Sequence, residues 1–518
     1  MRFLRYFIQD PRYLAAIISL LLTVIVFSHH QPLNLDGIVY LNAAETLLNQ
    51  GLKAAMAVYA WPLYPLLIAG VSLSSHLSLL TSAYLLNTLF ATLIVLTFIT
   101  LCKELGGSRI AQYLAALVIL IYPYLNHYRD EVIRDYGYYA FALLSLLQLI
   151  RFLRTPKWRH ALAWGLTISI ASLFRIEGIV MQLLVPIVVL IPWLSISTSR
   201  IKLFCQLNSL TFLLILLGSI WLLTSHHHTL ELGRISEVLD YGLQFMAGIR
   251  NKFTILQNNL FNTFGTKAIP SFFWGGVFAL FIFYFLNACG ILYTALAAFA
   301  WRYKLMPAAQ TSQFAMATYC IINLLILAVF AIQQLFLTGR YLALLCLLVM
   351  LYAPFTLEYL LSPFFQAKKI ANQKHKWLLT LVALWLLVIS IDSTIHPGPS
   401  KAYLVTAGTW LAKNTAIESR VYSNDAQLMY YSKRLGLKYP KDYLEGKVPF
   451  STLVNQPWQD YDYLALVISR KQPEEANKIL ALLKSPPLCT FVNKHGDKAM
   501  VFKLQKGNQN YVYSKIRN

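Results

Sequence analysis

Apolar stretches of membrane-spanning length recur along most of the chain, and they restrict its fold more than any motif does. A helix needs roughly 20 mostly apolar residues to cross the hydrocarbon core of a bilayer. Hydrophobic residues make up 57% of the 518 residues and charged residues only 13%, so polar side chains are too few to cover soluble domains. The sequence therefore predicts a polytopic α-helical membrane protein.

About eleven transmembrane helices are predicted. The first follows a short basic segment and has no small-residue cleavage site after it, so we expect it to be retained. A shorter apolar run, headed by Trp61-Pro62 and ending near Leu80, is expected to lie along the membrane interface. The predicted spans are residues 13–28, 81–101, 110–125, 136–150, 160–174, 178–194, 208–224, 272–300, 312–335, 341–360 and 377–391.

Lysine and arginine indicate the orientation of these helices. The net charge is +22, but the basic residues are dispersed between apolar runs, which argues against a nucleic-acid partner. Loops predicted to be cytoplasmic are rich in these residues, as at 151–159, whereas nearly all acids before the tail fall on the other side. If residues 61–80 crossed the membrane, the 151–159 cluster would lie outside, so we reject that topology. We expect a bacterial inner (plasma) membrane protein with a cytoplasmic N-terminus.

From about residue 394 the composition becomes that of a soluble domain. Helices are predicted at 401–414 and 473–484, and strands at 419–423, 463–469, 489–492 and 499–504. The predicted division is thus a transmembrane domain at 1–393 and a small extracytoplasmic α/β domain at 394–518.

A charged loop precedes the fourth predicted span. Ionisable residues at the edge of hydrocarbon cost several kcal/mol unless they are paired, hydrated or used, so they are functional candidates. An ordinary hydrated loop with internal ion pairs is the alternative. The five charged residues of this loop are Arg129, Asp130, Glu131, Arg134 and Asp135.

Several short motifs follow one another along the chain. They are Leu35-Asp36-Gly37, the segment that begins at Trp61, the Arg/Asp loop, Phe174-Arg175-Ile176-Glu177-Gly178, Thr338-Gly339-Arg340-Tyr341-Leu342, and the tail from Gly408 to Arg434. Taken in order, these motifs resemble the GT-C superfamily of membrane glycosyltransferases. More narrowly, the chain is similar to the family 39 type, which includes protein O-mannosyltransferases and the aminoarabinose transferase of lipid A modification. The resemblance implies a GT-C-like membrane domain.

The resemblance implies that a sugar moves with inversion from a polyprenyl-phosphate donor to an acceptor hydroxyl of a lipid or protein. Asp36 would be the general base, and Asp135 or Asp130 would orient the acceptor or the sugar. The acid of the family usually lies directly before the fourth span, which favours Asp135. Arg340 and Arg175 would grip the phosphate, since guanidinium offers bidentate donors to oxyanions. Further substrate-binding candidates are Arg129, Glu131, Arg134, Glu177 and Tyr341.

Each of these assignments has a structural alternative. Asp36 could cap the amphipathic helix that follows it. Arg175 and Glu177 could form an ion pair at a tight turn between two helices. Arg340 could anchor its helix at the lipid headgroups.

The histidines His226 to His228, with His29 and His30, invite a metal site. Adjacent histidines do not share a helix face, so we assign no metal ligands. No cofactor is certain from the sequence, although some relatives carry an extracytoplasmic divalent metal.

Two other functions stay open. A transporter or flippase of lipid-linked glycans would carry buried charges at mid-membrane depth and would not need a soluble tail. An O-antigen-ligase type transferase would use a long loop between late spans, such as residues 225–270. Membrane lipids are expected partners in every case.

Overall fold

The computed structural model describes residues 10–27, 32–191, 199–224, 242–365, 373–394, 401–434 and 453–504, apart from residues 454, 456, 459, 472 and 484. In the described residues before the tail, the secondary structure is helical. The helices are α1 (Pro11–Phe27), α2 (Leu35–Gln50), α3 (Leu52–Val58), α4 (Leu63–Ser75), α5 (Leu79–Glu104), α6 (Arg109–Leu120), α7 (Pro123–His127), α8 (Asp135–Arg154), α9 (Trp158–Phe174), α10 (Glu177–Val188), α11 (Arg200–Thr224), α12 (Phe245–Asn259), α13 (Ile269–Cys289), α14 (Ile291–Arg302), α15 (Gln310–Gln334), α16 (Gly339–Met350), α17 (Ala353–Phe365) and α18 (Gln373–Thr394).

Six helical segments in the described residues are long and apolar enough to cross a membrane. The chain is therefore an integral membrane protein. Shorter apolar helices accompany these six, so the number of eleven spans stays a prediction. The six segments are Leu79–Glu104, Asp135–Arg154, Arg200–Ile220, Thr266–Cys289, Gln310–Gln334 and Gly339–Ser362.

Three predicted spans are wrong as single helices, and one of them, 341–360, is divided between α16 and α17. Residues 272–300 form parts of α13 and α14, which are separated by Gly290 at φ 86°, a left-handed conformation that favours glycine. Residues 110–125 are divided between α6 and α7, because Pro123 lacks the amide hydrogen that would continue the first helix. A continuous apolar run therefore does not guarantee a continuous helix.

Helix α8 lies at the centre of the membrane domain. It packs against α5, α9 and α15, and 78% of its apolar window is buried. A polar contact supplements this packing, since Ser145 of α8 and the indole Nε1 of Trp164 in α9 both bind the Tyr319 hydroxyl of α15, at 2.8 and 3.0 Å. Because α8 is held on several sides, its first residue has a defined position.

The described tail residues form a mixed sheet with helices. Helices α19 (Ala402–Asn414), α20 (Ala426–Tyr431) and α21 (Pro473–Leu482) accompany β1 (Val421–Ser423), β2 (Tyr463–Ile468), β3 (Cys489–Val492) and β4 (Lys498–Lys503). The strand order is β1-β2-β4-β3, with β1 parallel to β2 and the other pairs antiparallel. Each strand lies within two residues of its predicted position.

Candidate functional site

Five charged residues from separate elements meet at one end of the helical bundle. Three of them are acids in the first turn of a helix, where the helix dipole stabilises negative charge: Asp36 of α2, Asp135 of α8 and Glu177 of α10. Arg175 follows the last residue of α9, and Arg340 is the second residue of α16. Each of these charges therefore lies within one turn of a helix end.

Two arginines connect the three carboxylates. Arg175 pairs with Asp135 and with Glu177, to which its Nε donates at 3.1 Å. The Arg340 guanidinium lies 2.7 Å from the Asp36 carboxylate and 4.0 Å from that of Asp135. The result is one alternating chain of opposite charges.

The side chains of this chain differ sharply in exposure. Those of Asp135 and Arg175 are 1% and 7% exposed, whereas those of Arg340 and Asp36 are 24% and 41% exposed. Solvent can therefore reach Asp36 and Arg340, whereas Asp135 and Arg175 are buried.

Aromatic rings complete the surroundings of two arginines. The Arg175 guanidinium lies over the rings of Tyr341, at 4.8 Å, and Tyr138, at 5.7 Å from the ring centres. Such cation–π contacts partly replace the hydration that a buried guanidinium loses. Arg134 lies over the Tyr59 ring at 5.6 Å, so its charge also has an aromatic partner.

The loop 128–134 is tied to the segment that carries Asp36. Asn34 Oδ1 accepts from the Val132 amide at 2.9 Å, and Asn34 Nδ2 donates to the Val132 carbonyl at 3.2 Å. On the other side of the loop, Asn87 Nδ2 donates to the Glu131 carbonyl at 2.7 Å. The sequence analysis missed both asparagines, although asparagine buried among apolar helix residues, as at Asn87, is a recognisable signal.

Arg129 lies apart from the carboxylates. Its buried guanidinium donates to Asn126 Oδ1, to the carbonyl and hydroxyl of Ser19, and to the Thr23 hydroxyl, at 2.8 to 3.2 Å. These contacts fasten the loop to α1. In the structure Arg129 thus holds the loop in place. Its neighbour Asp130, also a candidate, adds to the negative charge around Glu131.

The carboxyl group of Glu131 makes no hydrogen bond or ion pair with another described residue. Burial raises the pKa of Glu131 to about 7. The nearby charges of Asp130 and Asp36 raise this pKa further, whereas that of Arg340 lowers it. Near neutral pH the protonated acid is therefore more populated here than in an exposed glutamate.

Glycines allow the elements of the site to approach closely. A Cβ atom at Gly37 would lie 2.6 Å from Asn34 Oδ1, and one at Gly178 would lie 2.5 Å from the Ser172 backbone nitrogen. Any other residue would push α2 or α10 away from its neighbour. Gly137 and Gly339 are similarly crowded beside Asp135 and Arg340. A glycine within two residues of a charge is a signal that the sequence analysis did not use.

The tail reaches the same region. Gln427 Nε2 of α20 donates to the Leu33 carbonyl at 2.6 Å, and the Leu33 amide donates to the Tyr431 hydroxyl at 2.9 Å. Leu33 is 1% exposed and lies three residues before Asp36. The tail therefore contributes to the position of the segment that leads into α2.

The structure also decides between some of the alternatives. Helix α2 begins at Leu35 and Asn34 is its N-cap residue, so Asp36 is not the cap. Arg175 and Glu177 do form an ion pair, but Arg175 binds Asp135 as well. Arg340 pairs with Asp36. Among described residues, no three His, Cys, Asp or Glu side chains could hold a metal ion, and the histidines at 29–30 and 226–228 lie outside those residues.

No family model matches the chain, and no curated protein sequence matches it. Solved structures do. The archaeal oligosaccharyltransferase AglB from Archaeoglobus fulgidus, in complex with an inhibitory peptide and a dolichol-phosphate, is 14% identical with a TM-score of 0.51, over 98% of this chain and 76% of that one. Another Archaeoglobus fulgidus oligosaccharyltransferase structure, tethered with an acceptor peptide, is 14% identical with a TM-score of 0.48, over 85% and 60% of the chains.

ArnT from Cupriavidus metallidurans, bound to undecaprenyl phosphate, is 12% identical with a TM-score of 0.47, over 94% of this chain and 96% of that one. At these identities a likeness concerns the fold alone. The likeness to AglB covers nearly the whole chain, and it confirms the GT-C fold expected from the sequence motifs.

Proposed function

Given this GT-C fold, we propose that the chain is a membrane glycosyltransferase that moves a sugar from a polyprenyl-phosphate donor to an acceptor hydroxyl. One observation carries the proposal: the exposed carboxylate of Asp36 lies 2.7 Å from the partly exposed guanidinium of Arg340. The pair supplies a base for the hydroxyl and a ligand for the phosphate at one place. AglB was solved with a dolichol-phosphate and a peptide, which supports a lipid-phosphate donor and a lipid or protein acceptor here.

The proposed reaction is a single displacement with inversion. Asp36 takes the proton of the acceptor hydroxyl, and the oxygen attacks the anomeric carbon from the face opposite the phosphate. The bond between that carbon and the phosphate oxygen breaks, and both electrons leave with the polyprenyl phosphate. A phosphate is a weak base, so it leaves without a general acid. Arg340 stabilises the charge that develops on it, since a guanidinium binds two phosphate oxygens at once.

Asp135 and Arg175 are proposed as positioning residues. Asp135 is too buried to meet an acceptor, but it lies 4.0 Å from Arg340 and is itself held by Arg175. When the donor phosphate binds Arg340, the guanidinium turns from Asp36 to the phosphate but stays beside Asp135, and Asp36 is then free to accept a proton. This favours Asp135 over Asp130 as the second functional acid.

The site is proposed to face the extracytoplasmic side of the membrane. Asp135, one of the site carboxylates, is the first residue of α8, and Arg151 and Arg154 lie at the other end of that helix. Positive charge favours the cytoplasmic side, so the carboxylates face outward. The contacts of the tail with Leu33, beside the site, support the proposal that the tail lies on the same outer side.

The test is a transfer assay with the purified full chain in liposomes that contain polyprenyl-phosphate sugars. Mass spectrometry should detect free polyprenyl phosphate and a glycosylated acceptor in equal amounts. The donor that accumulates in cells lacking the chain identifies which sugar to use. Asp36→Asn should lower the rate of formation of both products by roughly 10² to 10⁴, while Asp392→Asn, the same change at an exposed acid outside the site, should lower neither. Absence of both products with every accumulated lipid would disprove the proposal.

A further inference from the structure

A second charged cluster lies at the opposite ends of α5, α8 and α9. Glu104 is the last residue of α5, Arg151 and Arg154 are in the last turn of α8, and Arg159 and His160 are in the first turn of α9. Helix α8 has 20 residues and rises 1.5 Å per residue, so its ends are about 30 Å apart. This distance matches the hydrocarbon thickness, and the cluster therefore lies at the membrane face opposite Asp135.

These residues line an open cavity of about 640 Å³. Pockets for small molecules have volumes of roughly 300 to 1,000 Å³, so a lipid headgroup fits here with room for water. Three guanidinium groups face one carboxylate, which leaves an excess of positive charge. The cavity thus has the size and the charge to bind an anion.

Glu104 orients two of the arginines. Its Oε1 accepts from Arg151 Nε at 2.9 Å, and its Oε2 and carbonyl accept from the two terminal nitrogens of Arg154 at 2.8 Å. His160 is held by Gln148 at 3.2 Å. A wall of the cavity is therefore fixed before any ligand arrives, which lowers the entropic cost of binding.

Donors remain unused in this wall. Within the described part of the chain, the two terminal nitrogens of Arg151 and the whole guanidinium of Arg159 have no hydrogen-bond partner. Guanidinium N–H groups match two oxygens of a phosphate at once. Basic pockets between transmembrane helices on the cytoplasmic side are also the places where anionic headgroups bind.

We propose that this cavity binds a phosphate group, either that of an anionic phospholipid headgroup or a soluble phosphate. A bound phosphate joins the end of α8 to the start of α9. The same two helices hold Asp135 and Arg175 at their other ends, so occupancy of the cavity stabilises the pair of helices on which the carboxylate site is built. The proposal does not depend on the reaction proposed above.

The experiment uses the purified full chain in detergent with three probes: short-chain phosphatidylglycerol, phosphatidylcholine of the same chain length, and inorganic phosphate. Binding is measured by native mass spectrometry and by the unfolding temperature. Stabilisation by phosphatidylglycerol alone identifies the headgroup as ligand. Stabilisation by inorganic phosphate as well identifies the phosphate ion. If neither phosphatidylglycerol nor inorganic phosphate binds better than phosphatidylcholine, the proposal is overturned.

Two matched variants localise the binding. Arg159→Gln removes a guanidinium without a partner among the described residues, so folding should be kept, and affinity for the bound anion should fall about tenfold. Arg302→Gln makes the same charge change at an exposed arginine outside the cavity, and affinity should stay unchanged. Equal losses in both variants would mean that the anion binds diffuse surface charge, and unchanged affinity in Arg159→Gln would mean that it binds elsewhere. Either result overturns the proposal.

Discussion

The substitution Asp36→Asn tests the proposed mechanism most directly. Asparagine has nearly the same size as aspartate and can still accept a hydrogen bond from Arg340, but it cannot take a proton. If Asp36 is the base, transfer should fall by roughly 10² to 10⁴, the usual contribution of general-base catalysis. Because the N-cap of α2 is Asn34, the substitution does not remove a helix cap.

The structure predicts that this variant folds normally. The Asp36 side chain is 41% exposed and its ion pair with Arg340 is open to solvent. Exposed pairs of this kind contribute about 0.2 to 1 kcal/mol, and Arg340 keeps Asp135 as a second partner at 4.0 Å. The free energy of unfolding should therefore change by about 1 kcal/mol or less.

Asp135→Asn should behave differently. Its side chain is 1% exposed and is paired with Arg175, which is 7% exposed. Removing one member of a buried pair costs about 3 to 5 kcal/mol when the other charge is left without a partner. Arg175 keeps Glu177 as a partner, so the loss of stability should be about 3 kcal/mol or less, still larger than for Asp36→Asn. Activity and stability should then fall together, so this variant is informative only when both are measured.

The assay combines transfer rate at saturating donor with thermal unfolding of the same preparation. The expected result is a slow but stable Asp36→Asn protein and an unstable Asp135→Asn protein. Transfer by Asp36→Asn close to the wild-type rate, in a protein that unfolds at the wild-type temperature, would refute Asp36 as the base. It would return the transporter hypothesis to consideration.

Three further predictions follow from the same contacts. Arg340→Lys replaces a bidentate donor by a point charge, so the KM for the lipid donor should rise about tenfold, and more in Arg340→Ala; an unchanged KM would exclude a phosphate contact. The pKa of Glu131 is raised from 4.5 to about 7, so its contribution to stability is full below about pH 4.5 and is lost as the pH rises through about 7. In Glu131→Gln the unfolding temperature should therefore decline less between pH 5 and 8 than in the wild type, and identical pH profiles would contradict the assignment. Tyr431→Phe leaves the buried amide of Leu33 without its acceptor, which should cost about 1 to 3 kcal/mol and lower the transfer rate, whereas the neighbouring control Tyr430→Phe should do neither.

Much of the secondary structure follows from local sequence. Strands β1 to β4 and helices α19 and α21 lie within two residues of their predicted positions, because alternation and amphipathic periodicity depend on neighbours in the chain, whereas the short helix α20 was not predicted. The predicted 272–300 and 110–125 spans failed for a related reason. The apolar composition continues through Gly290 and Pro123, whereas the preceding helix ends before each of these residues.

The candidate site, too, could be predicted from the sequence only in part. The length of the apolar runs and the distribution of lysine and arginine are enough to predict that Asp36, Asp135 and Glu177 lie on one membrane face, since each span carries the chain across once. The side chains that these acids contact could not be predicted, because they are far apart in sequence. Asp135 meets Arg175 from the next helix, and the contacts of Asn34 with Val132 and of Leu33 with the tail join residues about a hundred or more positions apart. Local pattern predicts which face a charge lies on, but only the packing of α2, α8, α9 and α16 decides which charge lies beside it.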